Sequence, residues 1–205
     1  MNFPIFASII LFTLWLGFAI RRTKNKTDIS LDEFIKRESL SNQVRKKPLD
    51  DLIFITFEPD FLPLKIMEED ETAVDLQNML RRLSTEKVVN LSGYSNTDLK
   101  LQYGTANLRT LSAYDQNYTL LARSLNRLAE RYYNAGYIQE TKTLLEFAVS
   151  TGTDVFGTYK ILAEIYLDDK NPEEIDKLIK SASRIRGILR KPIVRMLQEL
   201  YPYND

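Results

Sequence analysis

"LNRLAERYYNAG" at residues 125–136 and "YKILAEIYLDDK" at residues 159–170 decide how this chain folds. The first carries Leu128, Ala129 and Tyr132, and the second carries Leu162, Ala163 and Tyr166. Each matched pair is 34 residues apart, as from 128 to 162. A fixed spacing of this length is a mark of stacked helical hairpins, because one helix–turn–helix unit takes about 34 residues.

Working outward gives two adjoining units, 122–155 and 156–189. Leu125, Leu128, Ala129, Tyr132, Gly136, Leu145 and Ala148 of the first correspond to Tyr159, Leu162, Ala163, Tyr166, Lys170, Ile179 and Ala182 of the second. The physical logic is close packing of two antiparallel helices. Alanines let the backbones approach, and larger neighbours fill the remaining space. Lys170 stands where the first unit has a turn glycine, but Asn171-Pro172-Glu173-Glu174 is a strong helix start. After the second unit, Ile193, Met196, Leu197 and Leu200 share one face of a terminal helix over 192–200, suited to capping the stack. Two units seldom bury enough by themselves, so the 69–117 region is expected to cover the amino-terminal end.

This pattern resembles the tetratricopeptide repeat (TPR), with its small residue at position 8, aromatics at 4 and 11, and Ala at 27. The match covers the two units, and it departs where Thr141 and Ile175 replace the usual Ala at position 20. The resemblance implies that the first helix of each unit lines a concave groove. The positions that tend to face it hold Arg123, Asn126, Arg127, Glu130 and Tyr133, then Gly157, Lys160, Ile161, Glu164 and Leu167. Arg123, Asn126, Arg127 and Lys160 are suited to holding a peptide carboxylate or acidic motif by charge-assisted hydrogen bonds. The family's carboxylate clamp is matched only in part, and the competing reading is a solvated mixed-charge face. The wider chain also resembles an uncharacterised group of bacterial single-pass membrane proteins. The likeness lies in its apolar start, its "VRKKPLDDL" linker, its "SNTDLKLQYGTANL" block and its terminal repeats. That likeness implies no activity.

Composition narrows the function. The 205 residues include no Cys and no His. Thiolate chemistry, disulfides and the commonest general base and metal ligand are thereby excluded. No catalytic constellation, cofactor motif or metal site is legible, so the chain reads as a non-enzyme. "GTDVFGTYK" lacks the Gly-Lys-Ser/Thr ending of a phosphate loop, and "EEDE" at 68–71 lacks the spacing of a calcium loop. Net charge is zero but segregated. Residues 21–47 carry nine cations and four acids, and residues 48–75 carry one cation and nine acids. The acidic stretch is a candidate to occupy the basic groove itself. A basic block beside an apolar start points to a membrane surface rather than nucleic acid.

Residues 3–20 contain no charge. At ~1.5 Å per residue they would make about 27 Å of helix, close to a ~30 Å bilayer core. Arg21, Arg22, Lys24 and Lys26 follow. These features predict a transmembrane anchor over 1–20 in a single-pass cell membrane protein, with its carboxyl domain cytoplasmic by the positive-inside rule. A linker over 21–68 is expected to hold one amphipathic helix over 31–45, opened by a capping box at Ser30, and an extended segment at Leu52–Phe57. Ala73, Leu76, Leu80 and Leu83 predict a helix opening the 69–205 domain. Residues 91–118, rich in Gly, Asn, Ser and Thr, predict short helical turns.

The resulting expectation is an all-α chain: transmembrane helix, linker, then a TPR-like hairpin solenoid with a carboxyl-terminal cap. Its expected function is a membrane-tethered protein-interaction scaffold. The alternative is a structural subunit of a larger membrane complex.

Overall fold

The computed structural model describes residues 8–19 and 31–201. The described residues are all-helical, with no strand among them. In chain order the helices are α1 (8–19), α2 (Leu31–Gln43), α3 (Glu71–Leu83), α4 (Asn96–Tyr103) and α5 (Leu108–Asn134). They continue with α6 (Ile138–Ser150), α7 (Phe156–Asp168), α8 (Pro172–Ser183) and α9 (Arg190–Leu200).

The amino-terminal expectation is overturned. The described part of α1 covers twelve residues, about 18 Å at ~1.5 Å per residue, against a ~30 Å hydrocarbon core. Among the described residues no helix is long and apolar enough to cross a membrane. The reading as a single-pass membrane protein, and the cytoplasmic placement drawn from it, are corrected accordingly. Arg21, Arg22, Lys24, Lys26 and the Ser30 capping box lie outside the described residues.

The main core joins α3 and the helices from α5 to α9. Ala129, Ala148, Ala163 and Ala182 are each at most 1% exposed, and Leu125, Leu128, Tyr132, Leu145, Tyr159, Leu162 and Tyr166 are buried with them. The α5–α6 and α7–α8 turns repeat hydrogen bonds 34 residues apart. Tyr137 N–H donates to Tyr132 O at 2.9 Å, and Asn171 N–H donates to Tyr166 O at 3.0 Å. Gly136 has φ +87° and Lys170 has φ +52°. Both turns therefore close with a left-handed residue that exposes the next N–H to the preceding helix end.

Helix α3 begins at Asp70, whose carboxylate accepts from Ala73 N–H at 3.0 Å. Its buried face is Ala73, Leu76, Gln77, Leu80 and Leu83, packed on α5. Helix α5 differs from the expected short turns: it starts at Leu108 and runs unbroken for 27 residues. Leu111, Tyr118, Leu121, Leu125, Leu128 and Tyr132 keep a buried stripe along it. Burial of that stripe outweighs the modest helix propensity of its Ser, Asn and Thr residues.

The extended segment crosses the helices. Ile55 N–H donates to Val88 O at 2.9 Å, and the Phe57 and Phe147 ring centres are 5.1 Å apart. Leu62 and Leu64 are buried, and Tyr132 O–H donates to Pro63 O at 2.8 Å. Helix α2 is attached through polar groups. Arg37 pairs with Asp98 at 2.5 Å, Lys100 pairs with Glu38, and Thr97 O–H donates to Glu38 at 2.6 Å.

Candidate functional site

The amphipathic helices α3 and α5 pack side by side and leave a groove of about 460 Å³ along their shared edge. Helix α3 contributes Thr72, Asp75, Leu76 and Met79, and α5 contributes Leu120, Arg123, Ser124, Asn126 and Arg127. Val155, just before α7, closes one end. Leu76, Met79, Leu120 and Val155 supply its apolar lining, and Arg123 and Arg127 supply its cations. The two arginines are four residues apart, hence one above the other on the helix. Both are exposed, and among the described residues neither forms an ion pair.

The other expected site residues divide. Asn126 is only 8% exposed and fully engaged. Its Oδ1 accepts from Thr158 O–H at 3.1 Å, and its Nδ2 donates to Glu130 Oε1 at 2.7 Å. Gly157 lies against this pair: a Cβ there would stand 2.9 Å from Asn126 Oδ1 and 3.2 Å from Glu130 Oε1. Asn126 and Glu130 therefore form a strut between α5 and α7 rather than a free binding group. Lys160 and Glu164 face each other at 3.8 Å on α7. Tyr133 is half-buried beside them, and burial, reinforced by Glu164 and Asp168, pushes its phenol up. Of the ten positions expected to face a groove, Arg123, Asn126 and Arg127 line the α3–α5 groove, whereas Glu130, Tyr133, Gly157, Lys160, Ile161, Glu164 and Leu167 do not.

Of the acidic stretch over 48–75, Thr72 and Asp75 line the groove, and the residues before them are held elsewhere. Asp70 accepts from Arg131 Nε at 2.9 Å and Nη2 at 2.6 Å, and that bond, with the Ala73 N–H, holds its carboxyl below the usual range. Phe57 and Phe61 pack on Phe147 of α6. Asp75 is the acid that lines the groove, and it comes from α3. Sequence reading missed the contribution of α3. The signal was present in its Ala73, Leu76 and Leu80 stripe, which required a neighbour.

A second depression of about 530 Å³ lies between α6 and α8, lined by Glu146, Tyr166, Glu174 and Lys177 among others. Tyr166 O–H donates to Glu146 at 2.9 Å, and Lys177 pairs with Glu174 at 2.6 Å, so both of its lining acids are engaged internally. Among the described residues no group of three or more acids is placed to hold a metal ion. No family model matches the chain, and no curated protein or solved structure matches it.

Proposed function

We propose that the domain is a protein-interaction scaffold built on two TPR-like hairpins, receiving an acidic segment of a partner in the α3–α5 groove. The observation that carries the reading is the pair of exposed guanidinium groups, Arg123 and Arg127, which form no ion pair among the described residues and share the groove with apolar side chains. Arginine forks bind carboxylates in bidentate fashion, and the apolar lining suits an aliphatic or aromatic side chain beside the acid. The TPR-like part of the reading is supported by the buried alanines and by the turn hydrogen bonds repeated at 34 residues. Its action is binding and co-localisation, with no catalytic step.

The test is a crosslinking pull-down with the intact chain, comparing wild type with Arg123→Glu/Arg127→Glu. Lys180→Glu, on an exposed position of α8, serves as the control. Loss of the recovered partner in the double variant alone supports the groove, and equal recovery in all three refutes it.

A second reading, a structural subunit of a larger complex, is favoured by α2. Leu31, Phe34 and Ile35 share the face that carries Glu38 and Asn42, yet they remain 73%, 52% and 55% exposed. A permanent partner would cover them. Size-exclusion with light scattering separates the two readings, since a permanent complex survives dilution and a groove-bound peptide dissociates.

A further inference from the structure

The connection from α8 to α9 and the first turn of α9 read "RIRGILRK", residues 184–191, with four cations and no acid. Its base is fixed at three points. Ile185 is buried in the main core at 4% exposure. Arg186 Nη1 donates to Tyr94 O–H at 2.8 Å, and its guanidinium sits 5.4 Å from that ring centre. Gly93, at φ +86°, lets its turn close on Arg186, where a Cβ would come within 2.7 Å of Arg186 Cβ. Gly187 rests on Asp154, the acid facing the loop.

The tip of this fixed loop is bare. Ile188 is 93% exposed and Leu189 is 37% exposed. Ile53, 85% exposed, lines a shallow groove with Arg184 and Arg186 on the same side. Arg184, Arg190 and Lys191 are exposed and form no ion pair among the described residues. Arg190 and Lys191 also occupy the first turn of α9, where the helix dipole favours acids over cations. The isolated domain therefore gains neither burial nor electrostatic stability from this arrangement.

We infer that the 184–191 loop is a docking tip for an anionic lipid surface. Ile188 and Ile53 enter the apolar layer beneath the headgroups, while Arg184, Arg190 and Lys191 meet the lipid phosphates and carboxylates. Such a contact is interfacial and needs no spanning helix. Exposed isoleucines beside cations suit a bilayer, which yields around them, and their apolar character distinguishes the surface from a nucleic-acid patch, whose contacts are mainly cation to phosphate.

The test is flotation of the full chain with vesicles of phosphatidylcholine alone or mixed with phosphatidylserine. The mixed vesicles should bind it, and binding should weaken as salt is raised. Arg190→Gln and Lys191→Gln should each lower vesicle affinity about fivefold. Ile188→Ser should lower it about tenfold or more. All three positions are exposed, so the helical circular dichroism of each variant should match wild type. Binding to mixed vesicles that is unchanged in Ile188→Ser would overturn the inference. So would retention on single-stranded RNA without vesicle binding, which would assign the cations to nucleic acid.

Discussion

Gly136 and Lys170 sit at equivalent points of the two hairpin turns, and both backbones are left-handed there. A side chain in that conformation costs roughly 1–2 kcal/mol, and glycine avoids the cost. Nothing lies within 4 Å of a Cβ built on Gly136, so its replacement would strain the backbone alone. Gly136→Ala should therefore lower stability by about 1 kcal/mol, and Lys170→Gly should raise it by somewhat less, because glycine also loosens the unfolded chain. Urea unfolding of the two variants beside wild type measures both. The equivalence itself was legible in the sequence, because the 34-residue offset places Lys170 in the glycine's slot. The engagement of Asn126 was not. Its position in the pattern suggested a groove-facing amide, and only the close approach of α7 at Gly157 shows what it binds.

Among the elements, α3 is tied at its start by a single side chain. Asp70 caps its first turn and receives the Arg131 guanidinium. Because those bonds depress its folded carboxyl below the ordinary 3.8, the stability it contributes is present above that value and lost as pH falls through the folded one. Asp70→Asn removes the charge at every pH. The variant should melt a few degrees below wild type at neutral pH, and the gap should narrow in acid, as thermal melts across pH would record. The existence of α3 was readable from its four-residue stripe of Ala and Leu. The upstream half of α5 was hidden by weak helix formers between the residues that bury it.

Over the whole molecule, one core ties the extended segment, α3 and the five helices from α5 to α9 together. Tyrosines are set into it. Burial pushes the Tyr118 and Tyr132 phenols up to about 12 from an ordinary 10.0. A group whose folded value is raised contributes stability that is intact below its unfolded value and lost as pH rises toward the folded one. Stability should therefore decline between about pH 10 and 12, with tyrosinate absorbance at these sites appearing together with loss of helix rather than before it. The same core sets α3 and α5 edge to edge, and that placement creates the groove on which the proposed function rests.

Photo-crosslinking from single positions in the two depressions tests that function most directly. A photoreactive residue at Leu120 stands in the α3–α5 groove, and one at Glu146 stands in the α6–α8 depression. Partner adducts should form from position 120, disappear with Arg123→Glu/Arg127→Glu, and be absent from position 146. Adducts from 146 with none from 120 would contradict the groove.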